Sequence, residues 1–159
     1  MKSESNNFIE LDSKIPKREN YSKIEQLKTL KEKQNNIFNV INWNPIINSL
    51  SLEEKHSPAS PFLERKLAEN FCVQYQRYLY LPCKYRGKVQ FSLSLGGNMA
   101  WHAHILDTMT YHKDCQYLFG RYIHHHPYFG VRSEEDRENL EKAYSNTQKL
   151  YLIEFGEEI

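Results

Sequence analysis

The chain is poor in most of what marks a specialised sequence class. Glycine and proline occur only 6 times each in 159 residues, too few for a collagen-like or low-complexity composition. Its cysteines, Cys72, Cys83 and Cys115, are an odd number in a chain long enough to bury a self-sufficient core, which points to thiols rather than a disulfide framework. Charge is balanced: 21 Lys+Arg against 20 Asp+Glu leave a formal net charge of +1. Such a surface sets up no field to gather phosphate backbones or anionic lipid, so neither nucleic acid nor membrane is expected as a partner. No apolar run approaches the roughly 20 residues of a membrane helix. The first residues, Met1 to Asn7, lack the apolar stretch of a secretory signal, and a cytoplasmic setting is the resulting expectation.

What is present is a globular composition, 40% hydrophobic and 13% aromatic, with 11 Tyr and 8 Phe. Residues 1–19 carry only isolated apolar positions and read as a disordered or loosely docked tail, leaving 20–159 as a single helical domain. Within it, Ile24, Leu27, Leu30, Ile37, Val40 and Ile41 recur at helical spacing. Asn44-Pro45 should end or bend that helix. After a turn at Ser57-Pro-Ala-Ser-Pro, a second stripe (Leu63, Leu67, Phe71, Tyr75, Tyr78, Leu79) stops before Pro82. Val89, Phe91, Leu93 and Leu95 alternate, which suggests one short extended stretch at most. Past Gly96-Gly97 a helix restarts with Asn98 as its cap, and Thr108 or Thr110 caps another that ends at Gly120. The last helix opens with the capping pattern Ser133-Glu-Glu-Asp136 and buries Leu140, Ala143, Tyr144, Thr147 and Tyr151. The fold class expected is mostly α: a compact domain of about five helices.

The chemistry is concentrated in one window. Of 7 histidines only His56 lies outside 102–126, which also holds Asp107, Asp114 and Cys115. Imidazole nitrogen and thiolate sulfur are the ligands zinc takes most readily, and a structural zinc uses four. Helix geometry limits the combinations, because residues two apart point roughly 200° from each other. His102 and His104 therefore cannot both face one ion from a regular helix. His102 shares a face with Asn98, and His104 with Asp107 and Thr108; His112 and Cys115, three apart, share another. Any of His124, His125 and His126 could close a site from the loop beyond Gly120. The plainer readings are that a lone histidine is a hydrogen-bonded packing residue, that Cys72 is inert core, and that the helically spaced aromatics are core as well.

Trp101-His-Ala-His104, then Tyr111, Asp114-Cys115, Phe119-Gly120 and His125, resemble the glycine-rich domain-containing-protein-like family. Its pattern is close to Asp-x-x-Trp-His-x-His-x-Leu, Tyr-x-x-Asp-Cys, Phe-Gly and a following His. The likeness covers about 98–130. It implies functional roles for Trp101, His102, His104, Leu106, Tyr111, Asp114, Cys115, Gly120 and His125, and it specifies no reaction. The acidic position three before the Trp is Asn98 here, and the chain has no glycine-rich tract.

The leading expectation is a metal-binding protein with zinc held by His102, His104, Cys115 and His125, iron being the second choice. A closed shell of four would make the ion structural; three ligands would leave room for a water and metal-assisted hydrolysis, with Asp107 or Asp114 as the base. A different class dispenses with metal: Cys115 as a nucleophile activated by a histidine. A third makes the segment around Tyr128 and Phe129 the contact surface of a protein-interaction module.

Overall fold

The break foreseen at Asn44-Pro45 falls just ahead of it. Asn39 and Val40 are helical, the chain bends at Ile41, and Asn42 caps a new helix by accepting from the Asn44 amide at 3.3 Å. This helix, α1 (Trp43–Leu50), takes Pro45 in its first turn, where a missing N–H leaves no bond unmade. The structure is a computed structural model describing residues 39–51, 63–85 and 89–159, with Glu32, Asn35 and Ile37 singly. The expectations for the 1–19 tail, His56, the turn at 57–61 and the Cys83 side chain lie outside the described residues.

Helix α2 (Arg65–Lys84) forms the centre and runs through Pro82, three residues beyond the expected stop before that proline. A proline so near the end removes one ladder bond and leaves the last turn closed, with Tyr85 donating to the Leu81 carbonyl at 2.9 Å. Ala68, Cys72, Tyr75, Tyr78, Leu79 and Leu81 bury one flank of α2. Residues 89–94 are irregular, and no strand occurs among the described residues; Phe91 is nonetheless buried, so the apolar alternation there reports packing.

Helix α3 (Leu95–Leu106) starts earlier than expected, capped by Ser94, whose hydroxyl accepts from Gly97 N at 3.0 Å. Gly96 and Gly97 thus lie inside the helix rather than before it. Close packing explains them: a Cβ on Gly96 would lie 2.3 Å from the Phe71 ring of α2, and one on Gly97 would lie 2.8 Å from Leu93 in the segment just before α3. Helix α4 (Thr108–Phe119) is capped by Asp107, which accepts from Thr110 N at 3.2 Å, in place of Thr108 or Thr110. It ends, as expected, at Gly120 in the left-handed region with φ 67°.

Helix α5 (Glu134–Phe155) buries Ala143, Thr147 and Tyr151. Ser133 caps it by accepting from Asp136 N at 3.1 Å. The return half of the box goes elsewhere, because Asp136 accepts instead from Gly130 N at 2.7 Å and fastens the preceding turn. Five described helices around one core (Ile37 through Tyr151) make the fold all-α. None of these helices is long and apolar enough to cross a membrane.

Candidate metal centre

Because α3 is regular, its faces can be assigned from roughly 100° per residue. Gly96, Gly97, Ala100, Trp101 and His104 fall on the buried side. Leu95, His102 and Leu106 fall within about 20° of one line on the opposite, exposed side. The two neighbouring histidines therefore serve different places, as the helical period requires.

On the exposed side, the loop after α4 returns along α3 and sets His125 Nε2 2.9 Å from His102 Nε2 and 2.8 Å from Asn98 Oδ1. Trp101 holds the His125 ring edge-to-face at 4.6 Å between centroids. Trp101 is itself fixed: its indole N–H donates to the Tyr111 hydroxyl at 2.9 Å, which donates to the Ile123 carbonyl at 2.6 Å, two residues before His125. Partial burial, with His102 and His126 close by, lowers the His125 pKa to about 4. At neutral pH that imidazole is uncharged and keeps a lone pair on one nitrogen.

Hydrogen bonding alone serves this triangle poorly. His125 Nε2 has one hydrogen or one lone pair, never both, yet two polar atoms lie within 3 Å of it. Whichever way the Asn98 amide is turned, one atom is shared by two partners. A cation bound by Nε2, Nε2 and Oδ1 would use one lone pair from each.

His104, 3% exposed, lies in a separate buried group. Its Nε2 is 3.0 Å from Asp114 Oδ2, and its Nδ1 is 3.0 Å from the Tyr75 hydroxyl. Nε2–H donated to the carboxylate leaves Nδ1 to accept Tyr75 O–H, and both ring nitrogens are then paired. Burial lowers the His104 pKa and raises that of Asp114, with each partly offset by the other. Tyr75 is fully buried, and its hydroxyl pKa is pushed far up.

Cys115 is 2% exposed, against Tyr111 and the Ile123 backbone, and burial raises its thiol pKa. An activated nucleophile needs the reverse on both counts. Burial raises Cys72 as well, to about 12.

The four ligands expected from sequence thus divide. His102 and His125 meet, His104 is spoken for by Tyr75 and Asp114, and Cys115 is engaged by Tyr111 and the Ile123 backbone. Among the described residues no three His, Cys, Asp or Glu side chains converge as a metal-binding group. Of the candidate bases, Asp107 is committed to capping α4 and Asp114 to His104. Tyr128 stands 64% exposed in the turn that follows. Sequence reasoning missed Asn98 as a donor, although its place one turn before His102 was visible, and it missed Tyr75, for which no local signal exists. The chain matches no protein-family model, no curated protein and no solved structure.

Proposed function

We propose that this chain is a small helical metal-binding protein whose site consists of His102, His125 and Asn98. The observation that carries the reading is the triangle itself: two imidazole nitrogens 2.9 Å apart, with an amide oxygen 2.8 Å from one of them. Nitrogen-rich ligation of this kind suits zinc, with iron the second choice. His104 and Cys115 support the site from behind without ligating: they belong to the packing that fixes Trp101 and the 122–126 return. Three protein donors leave coordination positions open to water or to a further ligand.

The test is elemental analysis of untagged protein, with His102→Ala and His125→Ala beside it. Zinc retained by the wild type after exhaustive dialysis and lost from both variants supports the proposal. Zinc retained equally by both variants, or absent from the wild type after loading with zinc chloride, refutes it. Cys115→Ala should keep its metal, which separates this site from a four-ligand cluster that includes the thiol.

A further inference from the structure

The triangle reaches the surface through His102, with His125 and Asn98 half-buried beside it, and it is incomplete by the measure of a structural zinc site. It offers two imidazoles and one amide oxygen, a much weaker zinc ligand, where closed zinc shells use four nitrogen or sulfur donors. Its surroundings are also unusual. On the same line of α3, Leu95 is 79% exposed and Leu106 is 77% exposed, one on each side of His102. A rise of 1.5 Å per residue places them about 10 Å and about 6 Å from His102 along the axis. Met109, 73% exposed, follows just past the end of α3. A metal half-site bracketed by bare leucines on one helix face is a self-complementary surface.

We infer that a second copy of this chain completes the site, with one zinc ion held between two copies by His102 and His125 of each. The inference rests on the metal-binding reading above. A two-fold axis through the ion makes the interface isologous, so that each copy presents the same patch to the other. Crossing antiparallel, each Leu106 comes to lie about 4 Å along the axis from the other copy's Leu95, within side-chain reach. Four neutral imidazoles then give zinc its tetrahedral shell. Asn98 Oδ1 turns from ligand to hydrogen-bond acceptor for a bound water. Without the ion the leucine stripes alone cover too little surface to hold the pair, since stable interfaces bury on the order of 1,000 Å² or more. Association is therefore expected to depend on zinc.

The experiment is molar mass by light scattering, with zinc per chain measured on the same untagged full chain, first loaded with zinc chloride and then treated with EDTA. A dimer with half a zinc per chain that becomes monomeric on chelation supports the inference. One zinc per chain on a monomer overturns it and leaves the metal-binding reading standing. Protein that binds no zinc under loading removes both. A dimer that persists in EDTA, or in His102→Ala, overturns the inference by showing an interface independent of the ion. Leu106→Asp, at an exposed position and with circular dichroism run alongside to check that it is folded, should raise the dimer dissociation constant at least tenfold in zinc. An unchanged constant would remove the leucine stripe from the interface and with it the symmetric arrangement.

Discussion

Most of the chemistry here is decided by which way single side chains point. His102 and His104 differ in burial because two residues on α3 turn the chain through more than half a circle, and this much was readable from spacing alone. Their partners were not. His104 meets Asp114 from α4 and Tyr75 from α2, and those pairings exist only after three helices have packed. Local spacing had pointed to Asp107, which caps α4 instead. Tyr75→Phe should expose the cost of the buried group, because it leaves His104 Nδ1 without a partner. About 1–3 kcal/mol is the usual penalty for such an orphan, seen as a drop in Tm of roughly 2–4 °C per kcal/mol for a chain of this size. Zinc content should stay as in wild type, since the triangle lies on the other face of α3. Cys115 makes a second prediction at this scale. Alkylation of its thiol should be slow in the native protein at pH 8 and rapid in denaturing urea, read by mass spectrometry with Cys72 as internal control. Fast native modification of Cys115 would mean that its burial has been misjudged.

Elements were legible where a local interaction settles them and misread where a distant contact does. The left-handed stop at Gly120 and the Ser133 cap follow from residues within a turn of each other. The start of α3 does not. Gly96-Gly97 looked like a break between elements because glycine is a poor helix former, yet the helix tolerates both since Phe71 and Leu93 leave no space for a Cβ. The penalty of roughly 1 kcal/mol per glycine is offset at Gly96 by close approach of α3 to α2 and at Gly97 by the packing of Leu93. Gly96→Ala, ordinarily a stabilising change in a helix, should therefore destabilise this protein by about 1–3 kcal/mol through overpacking, measured by urea denaturation. An increase in stability would show that the Phe71 ring swings aside freely. Asp107→Ala should cost about 1 kcal/mol through loss of the α4 cap, and it should do so without touching the histidine pair.

At the scale of the whole molecule the helices are not held equally. Helices α2 and α3 share the aromatic core of Tyr75, Tyr78 and Trp101, the Trp101 ring lying 6.2 Å from Tyr75 and 5.7 Å from Tyr78. Helix α5 fully buries only Ala143, Thr147 and Tyr151 of its 22 residues, with Leu150 and Phe155 half-covered against the core, and polar contacts in and just beyond it add to its hold. Ser92 N donates to Thr147 Oγ1 at 3.0 Å, Lys84 Nζ is 2.5 Å from Glu154, and Arg77 is 2.5 Å from Glu157 while its guanidinium lies 5.0 Å over the Phe155 ring. Such a helix should open before the rest, because it buries few side chains completely and the Arg77–Glu157 pair beyond its end reaches solvent and weakens with salt. Native-state hydrogen exchange should show α5 amides exchanging through an opening that costs less than global unfolding, with α2 and α3 exchanging only with the whole. Acid should act on the same joint. Arg77 holds the Glu157 carboxyl below its ordinary range, so the folded state binds that proton less readily than the unfolded chain. Its contribution is then present above the unfolded pKa and disappears as pH falls through the folded one. A small Tm advantage of wild type over Glu157→Gln at pH 7 should accordingly shrink, and vanish once the pH has fallen well below the folded-state pKa. An advantage that survives at that pH would locate the effect of Glu157 in something other than its charge.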